Sequence, residues 1–128
     1  KPESKQAAKL WRLKNASKIK EYSRVATKQY AIRVRRGVFE HYGMSCSCCG
    51  ETRYIFLTLD HIDMATFPVE APRGGVELYA WLIRNNFPGG IRTLCFNCNC
   101  GRELNGGICP HELERQEVVR LSEMVLSA

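Results

Sequence analysis

Cys46-Ser47-Cys48-Cys49 and Cys95-Phe96-Asn97-Cys98 are two CxxC pairs, and together they decide the fold of this chain. Four thiolates complete the tetrahedron that zinc prefers, at about 2.3 Å for each bond. Cys48 competes with Cys49 as a ligand, but the spacing and the following Gly50 favour Cys49, because glycine permits the left-handed backbone of a tight metal turn. We therefore predict a structural zinc ion bound by Cys46, Cys49, Cys95 and Cys98.

The other cysteines do not indicate a disulfide scaffold. The chain has seven cysteines, an odd number, and its first residues lack the pattern of a secretory signal peptide. We therefore expect a reducing, intracellular compartment, with Cys100 as a free thiol. Cys109-Pro110-His111 is consistent with part of a second metal site, but a packing role at a helix start is favoured. The longest apolar run near the cysteines, 78–83, is far shorter than the roughly 20 residues that a transmembrane helix needs.

Charge is distributed very unevenly along the sequence. Residues 1–37 contain twelve Lys or Arg and two Glu, a net charge of +10, whereas the remainder has a net charge of −4 and no Lys. A segment of this kind favours a polyanionic partner, since neutralising phosphates releases counterions and drives binding without reading sequence. Double-stranded DNA is the expected partner, and a solvated basic helix is the alternative.

Residues 5–36 contain neither Gly nor Pro and are rich in helix-forming residues, so they predict helix. Asn15 and Ser17 can each cap a second helix, which leaves one long helix or two, and Gly37 predicts the end. Ile19, Tyr22, Ala26 and Tyr30 form an apolar stripe. The side chains predicted to contact DNA are Lys14, Lys18, Lys20, Arg24, Lys28, Arg33, Arg35 and Arg36.

Beyond residue 37, the pattern of apolar, Gly and Pro residues predicts short strands and helices. They are a strand over 54–59 that ends at Asp60-His61, a loop over 63–75, a helix over 76–86 with its apolar side in the core, a strand over 91–94, a short helix from Asn99 to Leu104, and an amphipathic closing helix over 112–126. His41 is expected to be structural.

The chain has, in order, a CxxC pair, a strand, Asp-His, a second strand, a second CxxC pair and Asn. This order resembles the HNH endonucleases, the ββα-metal nucleases, and among them the zinc-containing phage-type members. The residues that carry the resemblance lie between 46 and 111, about half of the chain, and include Leu57-Thr-Leu-Asp60-His61, Leu94-Cys95-Phe-Asn-Cys98-Asn99 and Cys109-Pro-His111. The resemblance implies an α+β fold: a small zinc-bound ββα-metal core (38–128) with a basic N-terminal helical arm (1–37) and a C-terminal helix.

The resemblance also implies roles for three residues. His61 is the expected general base, which agrees with the ordinary pKa of histidine near 6.5. Asp60 and Asn99 are the expected ligands of a catalytic Mg²⁺ or Mn²⁺ ion, with Asn99 in the place of the motif's last His; oxygen ligands suit such ions. The motif's middle Asn has no counterpart at 89–92, so we expect another group, such as a backbone carbonyl, to orient His61.

The predicted function is therefore a metal-dependent DNA endonuclease or nickase of phage or bacterial origin, acting in the cytoplasm. Three alternatives remain open at this point. They are a catalytically inactive zinc-stabilised DNA-binding module, a zinc-ribbon RNA-binding protein, and a protein-interaction scaffold. A protein-interaction scaffold does not explain the net charge of +10 on residues 1–37.

Overall fold

The computed structural model describes residues 2–127, with the side chains of residues 4–127. Within that range the fold is α+β, with five α-helices, one 3₁₀ turn (Tyr54–Phe56) and one two-stranded antiparallel sheet. The helices are α1 (Pro2–Lys14), α2 (Ala16–Tyr42), α3 (Gly75–Arg84), α4 (Phe96–Leu104) and α5 (Pro110–Leu126), and the strands are β1 (Leu57–His61) and β2 (Ile91–Cys95). The predicted fold class is confirmed at this level.

The two strands place the expected site residues at opposite ends of the sheet. Leu57 pairs with Cys95 at one end, and His61 pairs with Ile91 at the other. Asp60 lies directly opposite Arg92. Helix α4 begins where β2 ends, so the Cys95 end of the sheet carries the second CxxC pair, and the helix then runs past β1.

The core consists of two clusters of buried side chains that share helix α2. Phe39 packs with Leu57 and Leu94 beside the cysteines, whereas Val38 packs with Leu78 and Leu82 of α3. Adjacent residues of one helix therefore contact both clusters. The prediction that helix 76–86 contributes its apolar side to the core is confirmed, with the helix at Gly75–Arg84.

The predicted helix end at Gly37 is wrong, because α2 continues to Tyr42 and ends at Gly43, whose φ is +127°. The glycine at position 37 instead lies against α3, where an added Cβ would be 3.8 Å from Ile83 Cδ1. The division predicted at residue 37 therefore falls inside one continuous helix. Asn15 separates α1 from α2, so the arm contains two helices.

Helix α5 confirms the predicted closing helix, and its apolar side is exposed. None of its residues is buried, and apolar side chains such as Val118, Met124 and Val125 are exposed. Cys109, directly before the helix, is only 2% exposed. The apolar side of α5 therefore does not hold this helix on the core.

Among the described residues, no helix combines the length and the apolar composition needed to cross a bilayer.

Candidate functional site

The four predicted zinc ligands lie together. The Sγ atoms of Cys46, Cys49, Cys95 and Cys98 are all within 4.8 Å of one another, and Cys49 Sγ is 3.7 Å from Cys95 Sγ. Ligands bound at about 2.3 Å in a tetrahedron are about 3.8 Å apart. This group can therefore bind a metal ion such as zinc, and the chemistry of four thiolates fits that ion.

Local backbone structure explains why the two pairs present their thiols to one point. In the first pair, the Gly50 amide donates to Cys46 O at 2.9 Å, and Gly50 has a φ of +78°, the left-handed conformation expected for it. In the second pair, Cys95 precedes the first turn of α4, and its Sγ accepts from the Cys98 amide at 3.5 Å. Ser47 joins the first pair to β2 through its amide and hydroxyl, which both donate to Thr93 O at 2.9 Å.

The thiols of this group differ in their acidity. Burial acts to raise the pKa of Cys46, but hydrogen bonds from backbone amides in both CxxC pairs outweigh it and lower that pKa to about 7. Burial raises the pKa of Cys95 and, much further, that of Cys98. A metal ion reverses this effect by binding the thiolate directly.

A second group of potential ligands lies beside the first and includes residues for which other roles were predicted. Cys48, Cys98, Cys109 and His111 have ligand atoms within 4.8 Å of one another. Pro110 starts α5, as the helix-start role favoured for Pro110-His111 predicts, but Cys109 and His111 also face Cys48 and Cys98. Cys48 is brought there too. Cys100 is exposed and belongs to neither group, as expected of a free thiol.

The three predicted catalytic residues line one cleft. Asp60, His61 and Asn99 contribute to a cavity of about 470 Å³ between the end of β1 and helix α4. The amide nitrogen of Asn99 donates to Leu59 O at 3.5 Å, which joins α4 to β1. The remaining lining residues are Leu59, Ile62, Asp63, Met64, Arg102, Glu103 and Gly107. The structure thus brings together three residues that lie up to 39 positions apart in the sequence.

Two arginines hold the Asp60 carboxylate. Arg102 Nη1 donates to both carboxylate oxygens, at 2.9 and 2.8 Å, and Arg92 Nε donates to Oδ2 at 2.8 Å. The Asp60 side chain is 9% exposed, so these bonds are partly shielded from water. In this arrangement both oxygens accept hydrogen bonds from guanidinium groups, so a divalent ion at Asp60 would have to compete with Arg92 and Arg102 for the carboxylate.

His61 has the properties of a neutral base. Burial lowers its pKa below the usual value; the nearby Asp60 charge opposes this shift and the Arg73 charge adds to it. The ring packs edge-on against Phe67, with 4.5 Å between centroids. Among the described residues, neither ring nitrogen has a hydrogen-bond partner, so the carbonyl expected to orient the ring is not found, and Phe67 fixes its position instead.

The basic residues predicted to contact DNA fall into three groups. Arg35 points into the domain: its Nη2 donates to Leu57 O at 2.8 Å, and its guanidinium lies 4.1 Å from the Tyr54 ring centroid. Arg24 and Arg36 are exposed and form ion pairs with Glu21 and Glu40. The exposed basic side chains of the predicted set that have no ion pair within the described residues are Lys14, Lys18, Lys20, Lys28 and Arg33.

Sequence reasoning missed the two arginines that pair with Asp60, Arg92 and Arg102. Arg102 follows Asn99 by three positions, one turn of helix, so a helix that starts at the second CxxC pair predicts both side chains on one face. Arg92 carries no such signal, because its place opposite Asp60 depends on the register of two strands separated by 29 residues.

Comparisons with protein-family models, with curated proteins and with solved structures found no match for this chain.

Proposed function

We propose that this chain is a DNA endonuclease or nickase of the HNH type, in which His61 is the base that activates water. The observation that carries this proposal is the position of a neutral, unpaired imidazole in a polar cleft beside Asp60 and Asn99. An imidazole with a pKa below its usual value is in the base form at neutral pH and can accept a proton from water. Phe67 holds the ring and leaves its nitrogens available.

The charge of the cleft favours participation of a cation. Its lining includes the carboxylates of Asp63 and Glu103, which have no ion pair within the described residues, beside Asp60, which is paired with Arg92 and Arg102. A phosphodiester entering such a cleft meets net negative charge, which raises the free energy of its binding unless a cation accompanies it. We therefore retain a requirement for Mg²⁺ or Mn²⁺ in the proposal. For Asp60 to be the ligand, Arg102 must withdraw from it.

The exposed lysines of the arm are proposed to contact the phosphates of double-stranded DNA. Helices α1 and α2 extend from the core with almost all their residues exposed up to Arg33. A helix of 27 residues such as α2 is about 40 Å long, which exceeds one turn of duplex. Contacts of this kind raise affinity and position the cleft without specifying sequence.

Cleavage of supercoiled plasmid in the presence of Mg²⁺ or Mn²⁺ tests the enzyme proposal. We expect wild type to nick the plasmid and His61→Ala to lose nicking while its DNA affinity is unchanged. His41→Ala is the matched control, because that imidazole is exposed and stacks on Phe87 away from the cleft. A wild-type protein that binds DNA but is as inactive as His61→Ala with every divalent metal would overturn the proposal.

One observation favours a second candidate, a catalytically inactive zinc-stabilised nucleic-acid-binding module. The double pairing of Asp60 with Arg92 and Arg102 makes this carboxylate a structural anion that joins β1, β2 and α4. Such a protein binds DNA or RNA with steep salt dependence and leaves it intact. Binding to duplex DNA, duplex RNA and single strands, measured beside the plasmid assay, distinguishes the two candidates and identifies the preferred nucleic acid.

A further inference from the structure

The Cys48, Cys98, Cys109 and His111 group has the distances of a metal site. His111 Nδ1 lies 3.4 Å from Cys98 Sγ and 3.5 Å from Cys109 Sγ. In a tetrahedral zinc site with bonds of about 2.0 Å to nitrogen and 2.3 Å to sulfur, the nitrogen and each sulfur are about 3.5 Å apart. Three cysteines and one histidine are also a ligand set that zinc uses in closed, structural sites.

Cys98 belongs to this group and to the group of four cysteines. Two tetrahedra that share one corner require seven ligands, and the two groups together contain seven: Cys46, Cys48, Cys49, Cys95, Cys98, Cys109 and His111. A thiolate sulfur has lone pairs for two metal ions. We propose that the chain binds two zinc ions in one cluster, with the Cys98 thiolate bridging both.

The surroundings of Cys98 and Cys48 are consistent with this cluster. Cys98 is fully buried, at 0% exposure, and lies where the two groups meet. Six thiolates and two Zn²⁺ ions leave a formal charge of −2, which a nearby cation stabilises. Arg115 supplies one: its Nη1 donates to Cys48 O at 2.9 Å and its Nη2 lies 3.5 Å from Cys48 Sγ.

The second ion gives α5 its attachment to the domain. No residue of this helix is buried, so hydrophobic packing contributes little to holding it. Cys109 and His111 at its start, together with Arg115, instead reach the first CxxC pair and Cys98. An ion at this position cross-links residues that lie 63 positions apart, Cys48 and His111, and fixes the direction of α5. This cluster does not depend on the proposed nuclease activity.

Zinc content of the full chain tests the proposal. We expect two equivalents of zinc per wild-type chain after equilibration with excess zinc and removal of unbound ions. Cys109→Ser and His111→Ala should each retain one equivalent, because the group of four cysteines remains complete. Cys100→Ser is the matched control and should retain two. One equivalent in wild type, unchanged by Cys109→Ser, would overturn the second site.

Substitution with ¹¹³Cd distinguishes a bridged cluster from two separate ions. Two cadmium resonances with scalar coupling through a shared sulfur are the expected result for wild type, and a single resonance is expected for His111→Ala. Two uncoupled resonances would refute the bridge. Limited proteolysis gives an independent measurement: cleavage within α5 should become at least several-fold faster in His111→Ala than in Cys100→Ser, and equal rates would contradict the attachment of α5 by the ion.

Discussion

The cysteine groups and the Asp60 cleft lie at opposite ends of the same short sheet, and they differ in how their ligand atoms are paired. The cysteine sulfurs contact mainly one another and His111, at the distances of metal ligands. The Asp60 oxygens are instead bonded to Arg92 and Arg102. The cysteine groups thus have potential metal ligands without a cation between them, whereas the charge of Asp60 is already neutralised by two arginines. A metal ion at Asp60 must displace a guanidinium, whereas the sulfurs of Cys46, Cys49, Cys95 and Cys98 have no cationic partner among the described residues.

The largest expected effect is at the cysteine end. Cys95→Ser should remove the joint between β2, α4 and the first CxxC pair, because structural zinc contributes folding free energy directly, about 10 kcal/mol or more in small zinc modules at neutral pH. We expect loss of the cooperative thermal transition, followed by circular dichroism, and the same loss when wild type is incubated with a strong chelator. Cys100→Ser should melt like wild type. A chelated wild type with an unchanged melting temperature would contradict this prediction.

A smaller loss of stability is expected from a substitution of Asp60, at the end of the sheet that carries the cleft. Asp60→Asn leaves two partly buried guanidinium groups without their carboxylate, and the cost should be about 1–3 kcal/mol, below that of a fully buried pair because both arginines are partly exposed. Urea unfolding measures it. Asp63→Asn is the matched control, since Asp63 is exposed in the same cleft and has no ion pair within the described residues. A cost near zero for Asp60→Asn would mean that Asp60 is not a structural anion and is available to a metal ion.

The arm provides the third test. Lys18→Gln, Lys20→Gln and Lys28→Gln, combined, should lower DNA affinity and reduce the slope of log K against log salt by about 0.9 for each phosphate that is no longer neutralised. Arg35→Gln should leave that slope unchanged and lower stability, because Arg35 bonds to backbone carbonyls of the domain. Equal slopes for the triple variant and wild type would refute phosphate binding by the arm. Point substitutions suit this test better than truncation at residue 37, which would cut through α2.

The smallest expected effect is in the pH profile of cleavage. Because the pKa of His61 is lowered, its base form should already predominate at a pH below the ordinary histidine pKa near 6.5. The rate should therefore rise as His61 loses its proton, with an apparent pKa below 6.5, and be level at neutral pH. Arg73→Gln removes a charge that contributes to the shift, so its profile should move to higher pH. Arg84→Gln, in the last turn of α3, should not move it. A profile that is identical for wild type and Arg73→Gln would contradict this electrostatic effect.

Much of the fold followed from local sequence. The CxxC spacing and Gly50 predicted the tight turn of the first CxxC pair. The helix over 76–86 was predicted to within two residues at each end. Gly37 misled because helix propensity is local, whereas the contact of this glycine with α3 is not. The apolar pattern of α5 predicted the helix, but its apolar side is exposed, since periodicity shows only that a helix has an apolar side and not that a partner covers it.

The candidate site divides in the same way. His61, Asp60 and Asn99 were named from the motif, and they meet at one cleft because α4, which follows the second CxxC pair, lies against β1. The pairing of Asp60 with Arg92 depends on strand register, and the approach of His111 to Cys98 depends on the direction in which α5 leaves the domain. Neither is encoded in a short window of sequence.

By itself, the sequence determined which four cysteines lie together as candidate zinc ligands, the helical and strongly basic arm, and three residues of the cleft, because each depends on residue type and spacing along a few turns of chain. Only the tertiary structure decided that Arg102 lies on Asp60, that Arg35 faces inward, and that Cys98 stands between two ligand groups. These features depend on contacts between residues 42 positions apart for Arg102 and Asp60, 19 for Arg35 and Tyr54, and 13 for Cys98 and His111, which chain connectivity leaves free and packing fixes.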